Sequence, residues 1–287
     1  MKVKVAIVNA FVDGDEGGNP AGVVVDADHL SDKQKLDVAK EVGLSETAFV
    51  SKSNTADVKL DFYTPQRQIA HCGHATIATF SHLSQLGLVK SQKTSKETID
   101  GDREIEVLGD FAYMEQSKPK YHDLSNDPID LPSIIGINAK QAIGAPVIVN
   151  TGNSFLVLGV KTIEDLESIT PDYKKIEEIS EEYDLIGFYI FTLETNNKKR
   201  DASARMFAPR YGIKEESATG MAAGPLACYL HDYMHLEQDE FKIEQGYAMR
   251  PVSPSCIKVV LSKQGKSIYN LKAGGIGKSS RYEEVEI

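Results

Sequence analysis

The second half of this chain repeats the order of sequence features found in the first half, and this repeat constrains the fold more than any single motif. IVNAF…GGNPAGVVV near the start is matched by VIVNTGNSFLVLGV at residues 147–160. FYTPQRQIAHCGHATIATFSHL is matched by MFAPRYGIKEESATGMAAGPLACYL, and each has a proline, Pro65 or Pro209, after an aromatic strand end. Such self-similarity indicates two similar domains, and a chance resemblance between two loops of small residues is the alternative.

The length of 287 residues also suits two domains, because about 100–200 residues per domain is usual. The segment from Lys118 to about Ile134 is rich in Pro, Asp, Ser and Asn, and it is predicted to be a linker. We therefore expect a first domain at residues 1–118, to which residues 277–287 return. The second domain is expected at residues 119–276.

Strand-like and helix-like stretches alternate along the chain, which predicts an α/β fold. Ser31 is a candidate N-cap for a helix that ends near Val42. A second helix is predicted from Ala75 to Leu86, with Gly87 as its stop signal. Strands are predicted at residues 2–11 and 21–25 and in the stretches TAFVSKS and VKLDFYT.

Composition excludes several classes of partner. A net charge of −10 argues against nucleic acid, whose binding depends on Lys and Arg that neutralise phosphates. No apolar run approaches the roughly 18 residues that indicate a membrane-spanning helix, and the start MKVKVAIVNAF lacks the apolar core of a signal peptide. The three cysteines, Cys72, Cys228 and Cys256, form no CxxC pair and no disulfide framework. We therefore expect a reduced, cytoplasmic protein.

The stretch HCGHATIATF admits three chemical interpretations, of which the first is a metal site. His71, Cys72 and His74 offer donor atoms, and His231 and His235 are four residues apart near the end of the second repeated helix. Zinc needs three or four convergent ligands at characteristic spacings, and no carboxylate falls in a recognised position here. A histidine near a helix C-terminus is also explained by its favourable interaction with the helix dipole. We therefore expect no metal.

A catalytic thiol is the second interpretation. A cofactor-free racemase can use two thiols, one on each side of an acidic carbon, as base and acid. Cys72 suits the first position, but the alignment of CGHA with TGMA puts Thr219 at the second. A threonine hydroxyl cannot replace a thiolate as a base near neutral pH. A two-thiol epimerase is therefore disfavoured, and Cys72 is expected to be a small packed residue.

An anion-binding helix start is the third interpretation, and it explains both repeats. Gly73 lets the backbone approach a ligand closely, and Thr219 and Gly220 precede the second repeated helix in the same way. The first N–H groups of a helix lack internal partners and suit a carboxylate or a phosphate. The two helices, which begin near His74 and Met221, should each be wrapped by a sheet, with their N-termini converging on one cleft.

A glutamate in GLSETAFV is the candidate for proton transfer. A period of two puts Leu44, Glu46, Ala48 and Val50 on one face of a strand. Among apolar neighbours, desolvation would raise the pKa of Glu46 towards the range useful for proton transfer. The alternative is a glutamate at a strand entry, exposed to water or capping a turn, and periodicity alone favours this alternative.

These motifs together resemble those of the phenazine-biosynthesis PhzF-like family. The resemblance runs over essentially the whole chain in GGNPAGVVV, GLSETAFV, CGHATIA, NTGNSF, EESATGMAAG and EQGYAMRP. It implies the diaminopimelate-epimerase-like fold, which is an α/β architecture of two pseudo-symmetric domains. Each domain would be a curled mixed sheet around a central helix, and the cleft between the domains would hold the active site. The resemblance also implies a homodimer.

The resemblance further implies an isomerase that needs no metal or organic cofactor and moves a hydrogen within a small cyclic amino acid. Its acid/base would be Glu46, the glutamate of the SET motif, which reverses the preference drawn from periodicity. Gly73 and His74 of the CGH motif would line the same site. His74 would hydrogen-bond the substrate or tune Glu46, and a helix-capping histidine is the alternative for this residue.

Two positions depart from the family pattern. Glu216 stands where relatives usually have an aspartate before the xxTG loop, and Met221 stands where the phenazine enzyme has a serine after that TG. With Thr219 and Gly220, these residues are expected to bind the substrate. We therefore expect a small carboxylate-bearing substrate other than the phenazine precursor. A ligand-binding protein that keeps the fold but has lost turnover is the alternative function.

Overall fold

The first part of the chain folds into eight strands and two helices. In chain order these are β1 (Lys2–Ala10), β2 (Asn19–Val24), α1 (Asp32–Val42), β3 (Thr47–Ser51), β4 (Val58–Tyr63), β5 (Gln68–Ile69), α2 (Gly73–Gln85), β6 (Lys93–Thr98), β7 (Gly101–Leu108) and β8 (Phe111–Ser117). The strands and both helices that the sequence predicts are present, with ends that differ by one or two residues.

The rest of the chain adds nine strands and four α-helices. In chain order these are β9 (Lys120–Asp123), α3 (Leu131–Ile134), β10 (Ala142–Asn150), β11 (Ser154–Val160), α4 (Ile163–Glu167), α5 (Tyr173–Glu182), β12 (Gly187–Thr192), β13 (Ala202–Ala208), β14 (Ile213–Glu216), α6 (Gly220–Asp232), β15 (Glu240–Gln245), β16 (Ser255–Gln264) and β17 (Ser267–Glu286). Short 3₁₀ helices lie at Ala139–Gln141 and Pro209–Tyr211.

These elements belong to two units in the computed structural model, which describes residues 1–287. The first unit is Met1–Met114 together with Gly274–Ile287, and the second unit is Glu115–Ala273. Strand β17 therefore begins in the second unit and ends in the first. The corresponding boundaries predicted from the sequence are at residues 118 and 276.

The starts of the two helices in the first unit have different local causes. Ser31 caps α1 as part of a capping box with Gln34, and Gly43 ends the helix in the left-handed region at φ 67°. Helix α2 has no side-chain cap, and its preceding residue, Cys72, is extended at φ −144°. The helix begins at Gly73, two residues before the predicted start at Ala75.

A mixed set of strands surrounds α2 in the first unit. Strand β1 is antiparallel to β17 and β2, β2 is parallel to β3, and β3 is antiparallel to β4. Strand β4 then runs parallel to β6, which is followed by antiparallel β7 and β8. Helix α2 packs against β1, β2, β3 and β7, and its residues 73–83 are all buried. The predicted central helix is therefore present in this unit.

The second unit repeats the same pairing pattern. Strand β10 is antiparallel to β9 and β11, β11 is parallel to β12, and β12 is antiparallel to β13. Strand β13 runs parallel to β15, which is antiparallel to β16. Helix α6 packs against β10, β11 and β16. This agreement confirms the predicted fold of two similar units, each with mixed strands around a central helix.

The segment predicted to be a linker is instead an ordered part of the second unit. Strand β9 pairs with β10, and Leu124, Leu131 and Ile134 are buried in a hydrophobic cluster with residues of β11, α5 and β12. The polar composition of this segment reflects its turns, while its few apolar residues pack inward. Separately, no helix of the protein combines the length and the apolar character that a membrane span requires.

Candidate active site

Glu46 lies immediately before β3 in the first unit, after the bend that follows α1. Its backbone carbonyl accepts a hydrogen bond from the Gly22 N–H at 3.0 Å, and 13% of its side chain is exposed. The predicted strand face through Glu46 is wrong, because the strand begins at Thr47. Residues 47–50 are all buried, so successive side chains of β3 do not alternate between a buried face and an exposed face.

The first turn of α2 brings a histidine to this glutamate. Gly73 and His74 are the first two residues of the helix, and 5% of the His74 side chain is exposed. The His74 Nε2 atom lies 3.2 Å from Glu46 Oε2. Gly73 and His74 both lie at the N-terminus of the helix, where the helix dipole is positive. The structure therefore places the predicted residues Glu46, Gly73 and His74 together in the first unit.

The pKa values of this pair move in opposite directions. Burial acts to raise the pKa of Glu46, but the hydrogen bond and charge of His74, helped by Ser45, outweigh burial and hold the pKa below its ordinary value. Burial acts to lower the pKa of His74, but Cys72 and Glu46 outweigh it and raise the pKa well above its ordinary value. The prediction of a raised pKa for Glu46 is therefore wrong, because sequence periodicity could not reveal the imidazole opposite the carboxylate.

Cys72 completes a line of three polar groups in the first unit. Its Sγ lies 3.6 Å from His74 Nδ1, so the imidazole lies between the thiol of Cys72 and the carboxylate of Glu46. Burial raises the pKa of the Cys72 thiol, which favours its neutral form. Cys72 is buried, as predicted, and it also contacts His74.

The same three side chains offer donor atoms to a metal ion, since their oxygen, sulfur and nitrogen atoms lie within 4.8 Å of one another. A cysteine binds metal as the thiolate, whose formation the raised pKa of Cys72 opposes. Cys72 and Glu46 also raise the pKa of His74 well above its ordinary value, so a metal ion would have to displace a proton from this imidazole. The chemistry of the donors therefore favours a hydrogen-bonded group over a metal site.

The other histidines considered as donors have different partners. His71 Nδ1 lies 3.3 Å from Lys96 Nζ, and His231 Nδ1 lies 2.6 Å from Asp232 Oδ1. His235 follows the end of α6 with φ 59°. Neither His71 nor His231 therefore presents Nδ1 to a metal ion.

In the second unit, hydrogen bonds join Glu216 and Thr219, the predicted residues before α6, to each other and to Gln245. The Thr219 hydroxyl donates to Glu216 Oε2 at 2.6 Å and accepts from Gln245 Nε2 at 3.2 Å. The Gln245 amide also donates to the Glu216 carbonyl at 2.7 Å and accepts from the Thr219 N–H at 3.1 Å. Glu216 and Thr219 are therefore fixed relative to Gly220, which is the first residue of α6.

Gln245 is a further residue of this helix start, and the sequence alone does not predict its place there. It lies at the end of β15, and its Oε1 also accepts from the Tyr189 hydroxyl at 2.9 Å. The motif EQGYAMRP contains Gln245, so the signal was present in the sequence. Its role in holding Thr219 became visible only from the structure, because the two residues are far apart along the chain.

Met221 and the loop after β10 form a second contact at this helix start. Asn153 Nδ2 lies 3.3 Å from Met221 Sδ, and the carbonyl of Gly220 accepts from Gln116 Nε2 at 2.9 Å. The Thr151 hydroxyl donates to the same Gln116 side chain at 2.7 Å. Asn153 and Gln116 are therefore further residues of this helix start that the sequence reasoning did not identify.

Comparison with known sequences identifies relatives that cover most of the chain. The family profile "Phenazine biosynthesis-like protein" matches residues 8–276. An uncharacterized isomerase of Bacillus subtilis, YfhB, is 31% identical over 83% of this chain and 84% of its own length. The trans-2,3-dihydro-3-hydroxyanthranilate isomerase of Pseudomonas chlororaphis is 30% identical, with 84% of each chain covered.

Solved structures support the same relationship. The Bacillus anthracis phenazine biosynthesis protein of the PhzF family superimposes with a TM-score of 0.91 at 27% identity over 100% of both chains. A hydroxyproline epimerase from Agrobacterium vitis shares the fold at a TM-score of 0.59 and 12% identity, with 99% of this chain and 92% of that chain covered. The fold of the chain is thus that of the epimerases, as the resemblance implied. From the match over residues 8–276, the chain belongs to the phenazine biosynthesis-like protein family and is an isomerase.

Proposed function

We propose that this isomerase transfers a proton on a small carboxylate-bearing substrate without a metal or an organic cofactor, and that Glu46 is its acid and base. The observation that carries the proposal is the 3.2 Å contact between Glu46 Oε2 and His74 Nε2 in a largely buried site. A carboxylate that is mostly shielded from water and contacts an imidazole is suited to a proton transfer in which it acts in turn as base and acid.

His74 keeps the resting carboxylate ready to accept a proton. Because its imidazole lowers the pKa of Glu46, the carboxylate is ionised at neutral pH and acts first as the base. The proton that leaves the substrate carbon then resides on Glu46, and the electron pair of the broken C–H bond delocalises into the substrate. Returning the proton to another carbon completes the isomerisation and restores the carboxylate.

The helix starts supply the groups that bind the substrate. In the first unit, the N–H groups of Gly73 and His74 lie at the positive end of α2 and suit a carboxylate. In the second unit, Thr219 and Gly220 provide the corresponding start of α6. Glu216 accepts a hydrogen bond there from Thr219, and its carboxylate suits a donor such as an amino or hydroxyl group of the substrate.

Met221 argues that the substrate differs from that of the Pseudomonas chlororaphis isomerase. A thioether has no hydrogen to donate, and its sulfur lies 3.3 Å from the Asn153 amide. Met221 therefore cannot donate the hydrogen bond that a serine hydroxyl at this position would donate to the substrate. We propose that the substrate is a small carboxylate with an apolar group at this position.

Solvent-deuterium exchange tests the role of Glu46. The protein is incubated in deuterated buffer with a panel of cyclic amino and cyclohexadiene carboxylates, and incorporation is followed by mass spectrometry. Glu46→Gln keeps the shape and removes the titrating group, so exchange of any active compound should fall by about 10²–10⁴-fold. Glu41→Gln changes an exposed glutamate of α1 and should leave exchange unchanged. Exchange at the normal rate in Glu46→Gln would contradict the proposal.

A small-ligand-binding protein is the second candidate function, and the substituted helix start at Glu216 and Met221 favours it. Binding and turnover separate the two candidates. Saturable binding of a panel compound with no deuterium incorporation would favour the binding protein. Incorporation that Glu46→Gln abolishes would favour the isomerase acting by this mechanism.

We propose three further properties: a cytoplasmic location, a homodimeric state and the lack of a bound metal. The free thiols of Cys72, Cys228 and Cys256 favour a reducing, cytoplasmic compartment. The family resemblance favours a homodimer that holds no metal. Light scattering of the purified protein should give twice the mass of one chain, and elemental analysis should show no stoichiometric zinc, iron or manganese. Fractionation of the source cells should place the protein with cytoplasmic enzymes. A monomeric mass, bound metal or another compartment would contradict the corresponding property.

A further inference from the structure

One buried charged side chain of the first unit has no part in the proposed mechanism. Lys96 lies on β6 with no exposed surface, and no carboxylate lies within ion-pair distance of its Nζ. Buried lysines are rare unless they are paired with an acid, because removing an isolated charge from water is costly. The surroundings of Lys96 therefore require an explanation other than a salt bridge.

Lys96 is bonded to the first turn of α2. Its Nζ donates to Thr76 Oγ1 at 2.6 Å and lies 3.3 Å from His71 Nδ1. The Thr76 hydroxyl in turn donates to the carbonyl of Cys72, the residue that precedes the helix, at 2.7 Å. One hydroxyl therefore connects the amine to the turn that also contains Gly73 and His74.

This placement puts a cation beside the positive end of a helix dipole. The Lys96 ammonium and the positive end of the α2 dipole repel each other while no anion is bound. An anion at the N–H groups of the turn would interact favourably with both. We propose that Lys96 is a positioning residue whose buried charge acts through the first turn of α2 and strengthens the binding of the substrate carboxylate there. The inference rests on the proposed function in one respect, that this turn binds a carboxylate.

The protonation of Lys96 links this binding to pH. Burial lowers the pKa of Lys96 to about 7. The Cys72 sulfur acts to raise this pKa, and the Arg103 guanidinium acts to lower it further. The titratable groups that face the amine are His71 and Cys72 beside α2 and Arg103 on β7, while β4 presents the ring of Phe62 5.0 Å from Nζ. None of these is a carboxylate.

The sign of the pH effect follows from reciprocity between the two ligands, proton and carboxylate. Protonated Lys96 attracts the anion, so affinity is higher below the pKa of Lys96 and falls as pH rises through it. The bound anion must raise the pKa of Lys96 by the same free energy, so binding takes up protons near neutral pH. His71 does not contribute to this change, because burial, with Lys96 and Arg103, lowers its pKa to about 3.

Binding of benzoate, measured by calorimetry at about pH 6 and about pH 8.5, tests the proposal without any turnover. At an effective dielectric constant of about 20, opposite charges within a few ångströms to about 10 Å interact by more than about 1.4 kcal/mol, which is about tenfold or more in affinity. The Kd of wild type should therefore be about tenfold higher at the higher pH. Benzamide has the same shape without the charge, and its Kd should not change with pH.

Lys96→Met removes the charge while keeping most of the side-chain length. This variant should bind benzoate at both pH values as weakly as wild type does at the higher pH. Lys59→Met is the matched control, because it removes a lysine of β4 in the same unit and should retain the pH dependence of wild type. A tenfold change that persists in Lys96→Met would assign the effect to another group such as His74 and overturn the proposal. Failure of wild type to bind benzoate at about pH 6 would also overturn it.

A measurement on the unmodified protein guards against a folding defect in Lys96→Met. In protein labelled with ¹³C at lysine Cε, the Lys96 resonance should titrate near pH 7 and shift to a higher pKa when benzoate is saturating. An unchanged pKa under saturating benzoate would overturn the proposal. Glu46→Gln should preserve this shift, so failure of the acid/base assignment and failure of the Lys96 proposal give different results.

Discussion

Glu46 is subject to two opposing influences, and removing one of them gives a prediction at the scale of single residues. Burial favours the neutral carboxyl group, and His74 favours the carboxylate. His74→Asn leaves burial in place, so the pKa of Glu46 should rise. Because the carboxylate is the proposed base, the acid limb of the kcat/KM profile for deuterium exchange should move to higher pH. The exposed His29→Asn should not move it, and an unmoved acid limb in His74→Asn would contradict the proposed pairing.

The same pair affects stability in a defined pH window. The lowered pKa of Glu46 gives a contribution that is present above its ordinary value of 4.5 and is lost as pH falls through the folded pKa. The raised pKa of His74 gives a contribution that is present below its ordinary value of 6.5 and is lost as pH rises through the folded pKa. The destabilisation by His74→Asn in urea unfolding should therefore be largest between these two values.

At the residue scale, a sequence motif predicts which residues lie near one another, but it does not predict contacts between side chains of distant elements. Gly73, His74 and Glu46 lie in the CGH and SET motifs, through which the family resemblance predicts them. The structure brings Glu46 and His74 within 3.2 Å of each other, and their roles stay predictions. The direction of the pKa shift of Glu46 depended on a contact between residues of two elements, which no local pattern encodes. Gln245 was missed for the same reason.

At the scale of elements, a buried ion pair joins α1 to β4. Lys35 Nζ lies 2.5 Å from Asp61 Oδ2, with 8% and 3% of the side chains exposed. Lys35→Met leaves a buried carboxylate without its main partner and should lower the free energy of unfolding by about 3–5 kcal/mol. The double variant Lys35→Met/Asp61→Leu should recover most of this loss. Urea unfolding measures both, and Lys33→Met, which alters a lysine side chain that is 88% exposed, is the control. A neutral Lys35→Met would contradict this account.

The sequence predicts the ends of a helix where a capping residue marks them, and it predicts ordered segments poorly where a few apolar side chains decide the structure. Ser31 and Gly43 mark both ends of α1, since their preferences for an N-cap and for a left-handed residue are properties of single amino acids. The composition of the residues from Lys118 to Ile134 predicts a linker. They form β9 and α3 because a few apolar side chains among the polar ones are enough to anchor them to the second unit.

At the scale of the whole molecule, the repeat was the most reliable sequence signal. The two units share the same order of antiparallel and parallel pairings because both sequences alternate apolar strands and helices in the same order. The pairing of β1 with β17 has no local signal, since it joins residues from opposite ends of the chain. The second unit forms the corresponding pair between β9 and β10, which are near one another in sequence.

The return of the chain to the first unit gives the prediction that concerns the whole molecule. Strand β17 pairs with β1 from Lys2↔Glu286 to Ala10↔Gly277, and Val285 is buried. Deleting residues 277–287 removes this ladder and the burial of Val285, which alone is worth about 1.5–3 kcal/mol. Hydrogen exchange followed by mass spectrometry should show loss of amide protection in β1 and β2, while β10–β13 keep theirs. Arg281→Ala shortens a mostly exposed side chain of β17 and keeps its backbone ladder, so it should retain protection. Full protection of β1 in the truncated chain would show that the C-terminal strand does not stabilise the first unit.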